Sequence, residues 1–233
     1  MKKAVQVCFL GFVFLFAGCV TGGGQGIPIS VDDENVFHSY VYPKMEVRIA
    51  KDIKYIDTVP QDKYEVKPEN VGAFHEKMSV KSNSYSFLNP YDPELGCVKV
   101  VSIEIKIFET DHSSWIPVEY KKIPGIIDHG SSQIGGKYYQ YGVVLNNFSL
   151  ASIKNDLLKE ANLKIGYSGP MKMMTKIYTR VLGADGSGVV NILYSESIPK
   201  SLEWHTSSPL TDERRVFLEA FNKRCEQNLV IIN

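Results

Sequence analysis

Residues 97–107, CVKVVSIEIKI, decide the fold class. Val101, Ile103, Ile105 and Ile107 alternate with Ser102, Glu104 and Lys106. A period of two describes a strand with one buried and one solvated face, which antiparallel sheets allow. Working outward, residues 171–182 and 189–196 are two further β-rich runs around Gly183-Ala184-Asp185-Gly186-Ser187-Gly188. Asp-Gly between two such runs signals a hairpin. Upstream, residues 45–49 (MEVRI) and 53–59 (IKYIDTV) read as strands joined by a turn at Ala50-Lys51-Asp52. Residues 60–96 hold four prolines and weak periodicity, with a short helix expected over 68–78 from Pro68.

After a turn at Asp111-His112-Ser113-Ser114, residues 115–123 (WIPVEYKKI) suggest an edge strand, since Pro117 lacks a ladder donor. A loop over 124–136 then leads to a strand over 137–145 (KYYQYGVVL). Ser149 caps an amphipathic helix to Asn162, with Leu150, Ile153, Leu157 and Leu158 on one face. Thr211 caps a last helix, whose first turn holds Asp212 and Glu213 where the helix dipole favours them. It ends near Asn228, and Leu229 to Ile232 add a short strand. The expected fold is a single α+β domain over 31–233, a mostly antiparallel sheet of about seven or eight strands with two or three packed helices.

The first nineteen residues, MKKAVQVCFLGFVFLFAGC, are of a different kind. Lys2 and Lys3 precede a largely apolar run from Ala4 to Ala17, too short for the roughly twenty residues of a membrane span and suited to a signal peptide over 1–18. Leu15-Phe16-Ala17-Gly18-Cys19 resembles the lipobox of bacterial lipoprotein precursors, with Phe16 where Leu or Val is usual. The resemblance implies cleavage before Cys19, a thioether-linked diacylglycerol on its sulfur, and acylation, commonly with palmitate, of the new amino terminus. Two or more acyl chains, at about 0.8 kcal/mol per buried CH₂, anchor a protein stably. The implied location is the cell envelope, facing the periplasm. Val20, rather than the Asp that retains enteric lipoproteins at the inner membrane, points to the outer membrane. Residues 20–30, VTGGGQGIPIS, read as a flexible tether with an r.m.s. span of about 18–20 Å.

The chain carries 26 basic and 26 acidic residues, and removal of Lys2 and Lys3 leaves 24 against 26. With no basic run, the electrostatic footprint of a nucleic-acid binder is missing. Cys97 and Cys225 both stand in phase with apolar neighbours. An oxidising envelope permits a disulfide between them, and two buried thiols fit the same pattern.

Few residues offer chemistry. Gly183 to Gly188 continues into a strand, whereas a phosphate loop opens a helix. Gly166-Tyr167-Ser168-Gly169-Pro170 lacks the last glycine and the strand–helix order of a nucleophile elbow. Asp111-His112 and Asp128-His129 together offer enough ligands for zinc, but the strand between them separates the two by roughly 27–30 Å. Asp128 and His129, in the loop 124–136, are the candidates for general acid/base work. Tyr138, Tyr139 and Tyr141, beside Gly135-Gly136, are candidates for an aromatic face that takes sugar or peptide, although tyrosines are also ordinary strand residues. No metal or cofactor is expected. The leading expectation is a non-catalytic, membrane-anchored binding or assembly module whose partner is an envelope protein or glycan. The alternative is a periplasmic hydrolase using Asp128 and His129.

Overall fold

In the computed structural model, residues 29–40, 42–66, 78–92, 97–108, 119–123, 125–148, 171–199, 202, 204 and 209–232 are described. The lipobox with Cys19, the tether up to residue 28, Asp111-His112, Gly166 to Pro170 and the helix expected over 149–162 lie outside them, as does most of that expected over 68–78.

The expected strand over 97–107 forms as β6 (Cys97–Phe108), with Val101, Ile103 and Ile105 fully buried. It sits in a seven-stranded sheet with β4 (Lys54–Val66), β5 (Met78–Asp92), β7 (Ile126–Ile134), β8 (Lys137–Phe148), β9 (Met171–Leu182) and β10 (Gly188–Ser197), in the order β4-β5-β6-β10-β9-β8-β7. Every neighbouring pair is antiparallel. The β9–β10 hairpin forms as expected. Gly183 and Gly186 adopt positive φ in its turn, and Asp185 Oδ1 accepts from the Ser187 amide at 3.0 Å.

A second, four-stranded sheet has the order β1-β2-β3-β11, from β1 (Ile29–Val31), β2 (Val36–Ser39), β3 (Met45–Ile49) and β11 (Leu229–Ile231). β1 begins at Ile29, so its first two residues belong to the expected tether. Asn35, in the left-handed region, donates from its side chain to the carbonyls of Ile49, Ala50 and Ile53, tying this sheet to the start of β4. Helix α1 (Asp212–Asn228) is capped by Thr211, whose hydroxyl accepts from the Arg214 amide at 3.4 Å. It runs directly into β11.

One contiguous apolar cluster joins the inner faces of both sheets and α1. Phe37 meets Tyr85 across the sheets with ring centres 5.0 Å apart, and Phe221 of α1 meets Tyr194 at 5.9 Å. The fold is therefore mainly β, with eleven strands and a single α-helix among the described residues. The segment expected as a strand over 115–123 holds a short 3-10 turn at Tyr120–Lys122 where it is described. The expected loop over 124–136 is mostly strand β7, because Gly135 and Gly136, both with positive φ, make a two-residue turn that folds it onto β8.

Candidate functional site

The β7–β8 hairpin carries all the non-cysteine candidates, and strand geometry sorts them. Successive side chains point to opposite faces. Asp128 and His129 are adjacent on β7, so they diverge. Asp128 lies on the inner face, where its Oδ2 accepts from Asn222 Nδ2 of α1 at 3.4 Å. His129 projects from the outer face, exposed. The two do not meet at one reacting atom in this arrangement. The physical reason is the strand that replaces the expected loop.

The three tyrosines divide in the same way, so they form no common aromatic face. Tyr139 and Tyr141 point inward. Tyr139 is 0% exposed, and the Arg180 guanidinium carbon lies 5.4 Å from its ring centre. Tyr141 is half-buried, with Lys176 Nζ 4.7 Å from its ring centre and the Tyr178 ring at 6.3 Å. Burial raises the pKa of both phenols, aided at Tyr141 by the nearby carboxylates of Asp128 and Glu226. Lys176, only 5% exposed, sits in this layer over tyrosine rings rather than against a carboxylate among the described residues. The inner group therefore packs α1 against β7, β8 and β9. The Tyr139 hydroxyl, Arg180 Nη1 and Asn222 Oδ1 are buried without hydrogen-bond partners among the described residues.

Cys97 and Cys225 are both buried, and no disulfide joins them in this structure. The register explains this. Cys225 Sγ lies 3.8 Å from the Tyr178 hydroxyl, and Tyr178 aligns through Ile192 with Ile103. Cys97 is six residues further along β6, away from the position that Tyr178 aligns with. Burial pushes the Cys225 thiol up to about 12, which leaves it protonated and unreactive at neutral pH.

The outer face builds a different site. Tyr120, from the 3-10 turn, lies against the sheet over Gly142, where a Cβ would come within 2.4 Å of its ring. Its hydroxyl hydrogen-bonds Thr179 Oγ1 at 2.6 Å. Thr179 in turn donates to Asn191 at 2.8 Å, and Asn191 Nδ2 donates to Glu104 at 3.3 Å. This polar chain fixes the turn across β8, β9, β10 and β6. Between the turn and the hairpin lies a shallow cleft of about 260 Å³, whose lining includes Tyr120, His129, Ser131, Tyr138 and Gln140. Tyr138 is 64% exposed at its rim. Glu119 and Lys121 also line the cleft, and Glu119 pairs with Lys122 of the same turn at 2.8 Å while lying 3.9 Å from Lys121.

Of the expected candidates, His129 and Tyr138 come together in this cleft; Asp128, Tyr139, Tyr141, Cys97 and Cys225 do not join them. Tyr120, Ser131 and Gln140 are the residues that sequence reasoning missed. The available signal was Gly135-Gly136, which as a two-residue turn pairs residues 126–134 with β8. A larger depression of about 340 Å³, with Glu34, Arg48, Lys51 and Val230 in its lining, lies beside β11 and holds no aromatic side chain. Among the described residues, no group of three or more His, Cys, Asp or Glu is placed to hold a metal. Compared with known protein families, curated proteins and solved structures, the chain finds no match.

Proposed function

We propose that this chain is a lipid-anchored envelope protein whose domain is a non-catalytic binding module working at the β7–β8 cleft. The anchor rests on Leu15 to Cys19 and the glycine tether, with Val20 favouring the outer membrane and the domain facing the periplasm. The observation that carries the binding role is Tyr138. Its ring is 64% exposed on a hairpin stiffened by the sheet, at the rim of a concave surface with hydroxyl, amide and imidazole groups. A tyrosine offers a large apolar face with a polar tip, which suits it to grip a partner that is part apolar and part hydrogen-bonding. The partner is another envelope component.

Two measurements test this reading. Cys19→Ala in the full-length chain is expected to move the protein from the membrane to the soluble fraction and remove its lipid mass; continued membrane retention contradicts the anchor. Purified full-length protein is expected to bind cell-wall fragments or peptides and to lose that binding with Tyr138→Ala. Turnover of an ester, peptide or glycan, abolished by a point substitution, would replace the binding role with catalysis.

A further inference from the structure

We propose that β7 is a docking site for an extended segment of another polypeptide, which adds to the large sheet as an eighth strand. This names the partner class for the binding module proposed above and rests on that reading. The starting observation is an open edge. β7 pairs with β8 on one side only, and Ile134↔Lys137 closes the two-residue Gly135-Gly136 turn. In an antiparallel pair, hydrogen-bonded and non-hydrogen-bonded positions alternate. Counting from the closing pair, Ile134, Ser132 and Gly130 turn their backbone groups toward β8. Gln133, Ser131 and His129 turn theirs outward. Three N–H and three C=O groups thus face away from the sheet, and no strand pairs with them among the described residues.

The two edges of this sheet differ in how they are guarded. Natural edges are blunted by lysine, proline and bulges. β4, at the far edge, contains Lys54, Pro60 and Lys63 and shows two register shifts. β7, IIDHGSSQI, contains no Lys, Arg or Pro, and its one irregularity lies at Ile126/Asp128, before the outward-facing run.

The cleft then supplies the second requirement of strand addition, a pocket for alternate side chains. The side chains of His129 and Ser131, from the residues whose backbone is free, line it together with Tyr120 and Tyr138. The rim decides between occupants. Glu119 lies 2.8 Å from Lys122 but 3.9 Å from Lys121, so Lys121 is the less neutralised cation of the lining, and an incoming segment with an apolar or aromatic residue over Tyr138 and an acidic residue near Lys121 is complementary. A second copy is not. Antiparallel pairing of β7 with itself relates the copies by a two-fold axis perpendicular to the sheet, which brings both lysine rims to the same side.

The test uses full-length lipidated protein in nanodiscs and peptides of strand length (about ten residues) selected from a random library. The selected peptides are expected to alternate apolar with acidic residues and to slow amide exchange at His129, Ser131 and Gln133. Ser131→Pro removes an outward N–H and leaves the β8 ladder intact, so it is expected to weaken binding roughly tenfold or more. If that variant does not fold, N-methylation of alternate peptide amides replaces it: one parity should abolish binding and the other preserve it. Failure to select any peptide overturns the proposal, as does binding indifferent to both Ser131→Pro and N-methylation. Cell-wall glycan fragments that bind the cleft and depend on Tyr138, with no peptide binding at the edge, assign the site to a glycan instead. A concentration-dependent dimer broken by Ser131→Pro assigns it to a second copy. Catalytic turnover with the peptide effects intact would sink the module reading alone.

Discussion

At the scale of single residues, burial and partnership decide what each polar group contributes. Tyr139 is completely buried and its hydroxyl has no hydrogen-bond partner among the described residues. Removing an unsatisfied buried group is neutral or favourable, because its lost hydration was never recovered. Tyr139→Phe should therefore leave stability unchanged or raise it by up to about 1 kcal/mol in urea denaturation; a clear loss would mean that the hydroxyl has a partner. His38 is the opposite case. Its Nε2 lies 2.9 Å from Asp32 Oδ2 and its Nδ1 3.3 Å from Glu46 Oε1. The Asp32 hydrogen bond, seconded by Glu46, outweighs partial burial and raises the His38 pKa above its usual 6.5. The His38 hydrogen bond lowers that of Asp32 below 3.8. The histidine's contribution is thus fully present below pH 6.5 and lost as pH rises through its folded value. That of Asp32 is present above 3.8 and lost as pH falls through its own folded value. The stability difference between the protein and its His38→Asn variant should be greatest between those limits and shrink towards pH 9. A difference that grows with pH would contradict the pairing.

At the scale of elements, α1 is held by a buried charge pair as much as by its apolar stripe. Glu196 of β10 has a side chain only 1% exposed, and Arg224 of α1 donates to it from Nε at 2.9 Å and from Nη2 at 2.7 Å. The Tyr194 hydroxyl donates to Glu196 at 2.5 Å and accepts from Asn228 at 2.9 Å. Removing one member of such a pair strands the other, while replacing both with apolar groups is often tolerated. Arg224→Ala is accordingly expected to lose about 3–5 kcal/mol, and Glu196→Leu with Arg224→Met to lie much closer to the parent, both read by urea denaturation. A double variant as unstable as the single one would count against this. These elements were legible to different degrees. β6, the β9–β10 hairpin and α1 combine a clean period with turn or cap residues, so local pattern and tertiary role agree. β5 was not legible, because only Tyr85 and Phe87 mark its inner face over a Ser/Asn-rich stretch broken by Pro90. β7 was hidden for a related reason. Of its inward positions, Asp128, Gly130 and Ser132 bury little apolar area and only Ile134 packs on the core, so the stretch reads as loop. The cleft was lost with it, since a site that depends on strand alternation is invisible until the strand is recognised.

At the scale of the whole molecule, the small sheet was legible only in part: β3 and β11 match the strands read at 45–49 and from Leu229, but strands of three to five residues carry little periodic signal, and their pairing joins residues far apart in the chain. Its coupling to the rest follows from connectivity. β11 leaves α1 without a linker and pairs with β3, Leu229↔Ile49 to Ile231↔Val47. Leu229 and Ile231 point into the shared cluster, each 6% exposed, while Val230 faces outward. The second sheet is thus tied to the large one through α1, and the apolar cluster that spans all three makes independent unfolding of either layer costly. Truncation after Asn228 removes two buried aliphatic side chains, each contributing about 1.5–3 kcal/mol, and also frees one side of β3. The truncated chain should lose at least about 3 kcal/mol of global stability, with the fluorescence of Trp204, packed edge-on against Phe217 of α1, and far-UV circular dichroism shifting to the same lower urea midpoint. Had the small sheet been an appendage, truncation would leave the main midpoint unmoved and produce at most a separate early transition, and that result would refute the shared core.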